Sequence, residues 1–115
     1  MHEYSLVQGM MEIVAREAGA RRAVAVHRLQ VRLGRFSGVE ADLFATAFAM
    51  LRPGTLCEKA ELVLLGWEGE CRCDVCGRVL PPDDALACAQ CGWPARFAGG
   101  DELILERVEM EVPHV

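Results

Sequence analysis

Six cysteines and a histidine beside the first residue are the side chains of this 115-residue chain best suited to metal chemistry. Four of the cysteines fall as Cys73-x-x-Cys76 and Cys88-x-x-Cys91, with eleven residues between the pairs. Each CxxC turn can aim two thiolates at one point. Two such turns face to face close an all-sulfur tetrahedral shell suited to Zn2+, with bonds of roughly 2.3 Å. Gly77 and Gly92 follow the second cysteine of each pair, where such a knuckle must turn back. A closed four-cysteine shell has no open position for substrate or water, so it predicts a structural Zn2+ and no reaction. A disulfide framework is the competing use of these cysteines. The start, Met1-His2-Glu3-Tyr4, has no basic stretch leading into a hydrophobic block, which argues against a secretory signal and for a reducing cytoplasm, where thiolates stay available for metal. Cys71 reads as a bystander thiol, and Cys57 as a packed one near the start of a strand.

The amino terminus is the second candidate. A bulky second residue should leave Met1 in place, with a free α-amine one residue from the His2 imidazole. That amine has a reference pKa of about 7.7–8.0, so it can lose its proton near neutrality and join an imidazole and deprotonated backbone amides around a metal. All-nitrogen, square-planar ligation of this kind suits Ni2+ or Cu2+ better than Zn2+ or Mg2+. By itself a histidine near the start is equally consistent with a frayed, solvated terminus.

These groups need a scaffold. Leu6, Val7, Met10, Ile13 and Val14 mark an amphipathic helix from about Ser5 to Ala18, with Gly19 as its stop. Between Val24 and Leu33 the period becomes two, with Leu29, Val31 and Leu33 opposite Arg28, Gln30 and Arg32, which predicts a half-buried strand. His27 shares the apolar parity and reads as a packed or hydrogen-bonded histidine. A turn from Gly34 to Gly38 follows. Ser37 and Glu40 then match a Ser-x-x-Glu capping box at the start of a second helix, whose core face is Leu43, Phe44, Ala47, Phe48 and Leu51 and which ends at Pro53-Gly54. Ala60 to Trp67 is apolar enough for a central strand, and Leu103 to Val112 reads as a third strand.

The predicted class is α/β (α+β), split in sequence: residues 1–68 plus 101–115 form one domain, and 69–100 form an inserted four-cysteine zinc ribbon. With 52% apolar residues the chain can build a core, yet no run reaches the roughly 18–20 residues of a membrane span. The net charge of −5, made more negative by a zinc tetrathiolate, and the balance of Arg72, Arg78 and Arg96 by Asp74, Asp83 and Asp84 argue against a nucleic-acid partner.

Taken together, these residues resemble the HypA/HybF family of hydrogenase maturation proteins, nickel metallochaperones. The similarity spans nearly the whole chain: Met1-His2-Glu3, the Gly34-Arg35-Phe36-Ser37-Gly38-Val39-Glu40 turn, the two cysteine knuckles, and Gly100-Asp101-Glu102-Leu103 leading into the last strand. The resemblance implies two helices on a three-stranded sheet with a structural zinc domain. It implies a nickel site at His2, with the Met1 amine and the His2 and Glu3 backbone nitrogens as co-ligands, and Glu3 and Glu40 in its acidic surroundings. It also implies a HypB-type GTPase and the [NiFe] hydrogenase large-subunit precursor as partners, in the cytoplasm. The knuckles stand closer together here than the family pattern suggests, with Pro81-Pro82 between them. Two other readings compete: a zinc-ribbon protein-interaction module without nickel transfer, and a dithiol oxidoreductase, which would need an accessible, low-pKa cysteine that a zinc shell denies. No catalytic set of Ser-His-Asp or paired-carboxylate type is present, and the chain reads as a carrier, not an enzyme. His114 reads as an ordinary tail residue.

Overall fold

The structure, a computed structural model, describes residues 2–35, 37–67, 71–73, 75–80, 91–92, 95–97, 100 and 102–113. Helix α1 (His2–Ala20) buries Val7, Met10, Val14 and Ala18, which recur at helical spacing. It begins at His2, earlier than its apolar stripe requires, and it runs through Gly19. The helix ends at Ala20 in a Schellman arrangement: Ala23 N–H donates to the Ala18 carbonyl at 2.8 Å and Arg22 N–H to Gly19 at 3.2 Å. Arg22 takes the left-handed conformation, at φ 55°, that glycine adopts without strain. Ile13 was expected in the core stripe but is 51% exposed, because it lies about 100° around the helix from the centre of that stripe.

Strand β1 (Ala25–Gly34) pairs on one side in parallel with β2 (Glu61–Trp67), Leu29 opposite Leu62 and Gly34 opposite Trp67. On its other side it pairs antiparallel with β6 (Leu103–Glu111), Leu33 opposite Leu103. The order is therefore β2-β1-β6, and the expectation of a central second strand is corrected. The apolar run of β2 suggested burial on both edges, but β6 returns to the free side of β1 instead, so β2 is an edge strand. A bulge between Val26 and Arg28 changes parity. Val26 thereby joins Leu29, Val31 and Leu33 in the core, and His27 turns outward to bond Glu111 at 3.0 Å.

The parallel connection runs through α2 (Ala41–Leu51), whose Phe44, Ala47 and Phe48 close the core over β1 together with α1. Two expectations for this helix fail. Its N-cap is Glu40, which makes no side-chain cap bond, and Ser37 Oγ instead accepts the Val39 N–H at 3.3 Å. The capping box is absent because a distant carboxylate, that of Glu3, takes the Glu40 N–H at 3.3 Å. Leu43 is 51% exposed and is not a core residue. After α2, Gly54 adopts φ 77° and the Arg52 guanidinium donates to the Glu58 carbonyl at 2.9 Å and to Ala60 at 2.5 Å. This turn leads into β2, with Cys57 buried as expected; burial pushes its thiol pKa up, against a smaller opposite pull from Arg52.

The sheet's other face is polar. Arg28 bonds Glu61 at 2.7 Å and faces Glu109 at 3.6 Å. A second register shift, between Gln30 and Val31, leaves Glu106 as the extra residue of β6, where it accepts from Gln30 at 3.1 Å and pairs with Arg32. Arg32 in turn lies over the Trp67 ring, 5.2 Å from its centroid.

Between β2 and β6 in sequence lies a second antiparallel sheet, ordered β4-β3-β5, made of β3 (Cys71–Cys73), β4 (Val79–Leu80) and β5 (Ala95–Phe97). Its buried residues Cys73 and Leu80 stand apart from the main core. The chain segments leading to and from this sheet meet the main sheet at Gly34. Gly34 N–H donates to Glu102 at 2.8 Å and Arg35 N–H to Trp67 at 2.7 Å. The Gly34 backbone comes so close to Gly100 that an added Cβ would lie 2.2 Å from the Gly100 oxygen. Gly100 itself stands at φ 83°. Read as sequence, Gly34 is a turn glycine; its close crossing with the distant Gly100 leaves no local signal.

Candidate metal centres

The first centre is built on β3. Cys73 ends this central strand of the small sheet, its N–H bonded to the Arg78 carbonyl at 3.0 Å across the hairpin. The chain then folds back tightly: Gly77 N–H donates to the Cys73 carbonyl at 3.0 Å, and Val75 N–H points at the Cys73 sulfur at 3.4 Å. The fold-back needs Gly77 at φ 72°, a conformation that a Cβ disfavours. Gly92, after Cys91, repeats it at φ 70°.

These turns bring the sulfurs of Cys73, Cys76 and Cys91 within 4.8 Å of one another. Four sulfurs around one ion at roughly 2.3 Å stand about 3.8 Å apart, so the spacing suits thiolates that share a metal. An N–H aimed at sulfur favours the thiolate over the thiol, which helps a ligand stay deprotonated. The fourth expected ligand, Cys88, lies outside the described residues, as does the Pro81-Pro82 loop. The backbone of Cys71 is paired with both Leu80 and Phe97 in the sheet.

The second centre is at the start of α1. Met1 lies outside the described residues. His2 opens the helix with an imidazole that is 61% exposed and 3.9 Å from the Glu3 carboxylate. Glu3 is the fixed member of the group. Its own backbone N–H and the Glu40 N–H hold its carboxyl below the ordinary carboxylate range, with a smaller contribution from the His2 imidazole. The carboxylate therefore ties the first turn of α1 to the N-cap of α2. The structure brings Glu3 and residue 40 together beside His2, but the part of Glu40 that makes the contact is its backbone amide; its side chain is exposed.

Chemically, the two centres differ. One gathers soft sulfur donors in a small sheet. The other presents nitrogen donors at a solvent-exposed helix start beside a carboxylate that is already committed to two amides. His27 belongs to neither, being paired with Glu111, and His114 lies outside the described residues. Among the described residues no helix is long and apolar enough to cross a membrane.

Comparison with known proteins gives a consistent result. Residues 1–110 match the family described as "Hydrogenase/urease nickel incorporation, metallochaperone, hypA". The hydrogenase maturation factor HypA of Wolinella succinogenes is 35% identical over 114 residues, covering 96% of this chain and 96% of that protein. The corresponding factor of Synechococcus sp. is 33% identical over 113 residues, covering 96% and 99%. Among solved structures, the nickel metallochaperone HypA of Helicobacter pylori superposes with a TM-score of 0.73 at 28% identity, covering 96% of this chain and 98% of that one.

Proposed function

The chain belongs to the HypA family of nickel-incorporation metallochaperones, and we propose that it carries Ni2+ at its own amino terminus for insertion into the [NiFe] hydrogenase large-subunit precursor. The ligands in this reading are the Met1 amine, the His2 imidazole and the backbone nitrogens of His2 and Glu3. The observation that supports it is the clasp between Glu3 and the Glu40 amide, which fixes the start of α1 next to a second helix instead of leaving it to fray.

A helix start suits backbone ligation. The first N–H groups of an α-helix have no intrahelical acceptor, so losing their protons to a metal breaks no helical bond. The positive end of the helix dipole favours the resulting amidates, and two amidates neutralise the charge of Ni2+. The Glu3 carboxylate acts in this scheme as a strut and not as a ligand, through the Glu40 N–H alone, since metal at the Glu3 nitrogen removes the N–H that Glu3 donates to its own carboxylate. Amine and imidazole nitrogens as a class take up protons at higher pH than carboxylates do, so acidification would free the metal before it loosens the strut.

Cys73, Cys76, Cys91 and Cys88 would hold one structural Zn2+. Bound metal would supply the folding energy that the small sheet lacks in apolar contacts. We further assign residues 1–68 plus 101–115 to the nickel-carrying domain and 69–100 to the zinc domain. The cytoplasm is the proposed compartment, with a HypB-type GTPase as the partner that precedes delivery.

The test is a nickel titration of untagged, zinc-loaded protein beside His2→Ala and a variant with extra residues before Met1. One Ni2+ per chain, with a square-planar absorption band lost in both variants, is the expected result. No specific binding to the native-start protein would leave a zinc-ribbon interaction module without nickel transfer.

A further inference from the structure

Helix α2 carries more apolar surface than its own fold uses. One stripe, Phe44, Ala47, Phe48 and Leu51, faces the core. A second stripe, Leu43, Thr46 and Met50, recurs at spacings of three, four and seven, and it faces outward with Leu43 51% and Met50 60% exposed. Asp42 is the helix's sole charged residue. Helix α1, by contrast, presents Gln8, Glu12, Arg16 and Glu17 to solvent as a surface helix should. A helix that is apolar on most of its circumference is ordinarily covered, so α2 has the composition of an interface element.

The outward stripe lines a groove of about 190 Å3, whose other wall is Tyr4 and Glu3 of α1. Thr46 and Ala47 at its floor are small enough for a second backbone to approach closely. From Leu43 to Met50 the groove is about 10 Å long, room for two turns of a docked helix. The end nearest the amino terminus is acidic: Glu3 lines the groove, Glu40 and Asp42 stand exposed at the start of α2, and none of the described lining residues is basic.

We propose that this groove docks an amphipathic helix of another protein, its apolar stripe laid over Leu43 and Met50 and its Lys or Arg residues over Glu3, Glu40 and Asp42. Helix-in-groove recognition reads anchors at this spacing, and charge complementarity sets the orientation of the incoming helix. A second copy of the chain fits less well, because its own α2 has no basic residue to lay over Glu3, Glu40 and Asp42. The groove ends at Glu3, so the docked helix lies beside the amino terminus.

The probe is a synthetic sixteen-residue helix, acetylated and amidated, with leucines on one stripe and lysines flanking it. Its counterpart carries glutamates in place of the lysines. Each is titrated into full-length, zinc-loaded, isotope-labelled protein without nickel, so the outcome does not depend on nickel carriage. The lysine peptide should shift the amides of residues 3–4 and 43–50 and bind at least tenfold more tightly than the glutamate peptide. Leu43→Ser and Met50→Ser should each weaken it at least tenfold while lowering the melting temperature by no more than about 5 °C, since both side chains are more than half exposed. Equal binding of the two peptides, shifts centred elsewhere, or a dimer by sedimentation that Leu43→Ser dissociates would each overturn the proposal.

Discussion

Replacing Gly34 by alanine should destabilise this protein far more than so small a change suggests. The added carbon would lie 2.2 Å from the Gly100 oxygen, 2.4 Å from its carbonyl carbon and 2.9 Å from the Glu102 oxygen, all backbone atoms. A methyl group sits comfortably at about 3.4 Å or more from such an oxygen, so the returning segment must retreat by about 1 Å. It cannot retreat freely, since Gly34 N–H holds Glu102 at 2.8 Å and Gly100 is already at φ 83°. Overpacking of this kind costs about 1–3 kcal/mol, and loss of the buried hydrogen bond about 1–2 kcal/mol more. The total of ~2–5 kcal/mol corresponds to a melting temperature lower by about 6–20 °C for a chain of this size.

Gly9 provides the control. It lies within α1 and an added Cβ there meets nothing within 4 Å. Gly9→Ala should therefore stabilise by up to about 1 kcal/mol, through helix propensity alone. The assay is thermal unfolding of both variants followed by circular dichroism, with zinc bound and at fixed concentration. A Gly34→Ala protein melting within about 2 °C of the parent would refute the crossing as a tight contact.

Other outcomes follow from the same structure. Phe44→Ala, at a fully buried position, should cost about 3–5 kcal/mol by urea denaturation. Arg22→Gly should raise the melting temperature, by relieving a left-handed arginine worth about 1 kcal/mol. Because folding lowers the Glu3 pKa, its contribution is complete above the ordinary carboxylate value and is lost as pH falls through the lower, folded one. Glu3→Gln should accordingly show a shallower fall of urea midpoint with acid than the parent; an unchanged slope would remove Glu3 from the clasp. Strong chelation should abolish amide protection in residues 71–80 and 95–97 while β1 and β2 remain protected in hydrogen exchange. Cys57, buried and with its thiol pushed up, should resist a bulky thiol reagent until the protein unfolds.

Much of this arrangement is legible in the chain because it depends on local period. The stripe of Val7, Met10 and Val14, the alternation through Leu29, Val31 and Leu33, and the CxxC spacing each encode their element nearly alone. What failed was decided by distant partners. Ser37 and Glu40 have the right types and spacing for a capping box, yet Glu3, 37 positions away, takes the amide that the box would have used. The apolar run of β2 gives no information about which neighbour β6 will choose, so a central position was expected where an edge was found. Leu43 satisfies the helical pattern as well as Phe44 does; neighbouring positions differ by about 100° around a helix, and only the location of the core separates them. Bulges at His27 and Glu106 reset parity without altering composition, and nothing local announces them.

The crossing at Gly34 also bears on how the chain closes upon itself. With β2 already beside β1, pairing β6 with β1 shuts the loop of about 35 residues between Trp67 and Leu103, and the entropy lost in closure grows with the logarithm of the loop's free length. Once metal draws the cysteine knuckles together and β5 seals against β3, only about eight residues of that loop remain unconstrained. By the same logarithm, the shorter tether makes docking of β6 easier by about 1 kcal/mol. An ion held by sulfur in one sheet would thus tighten a strand in the other through chain connectivity alone, with no contact between them required.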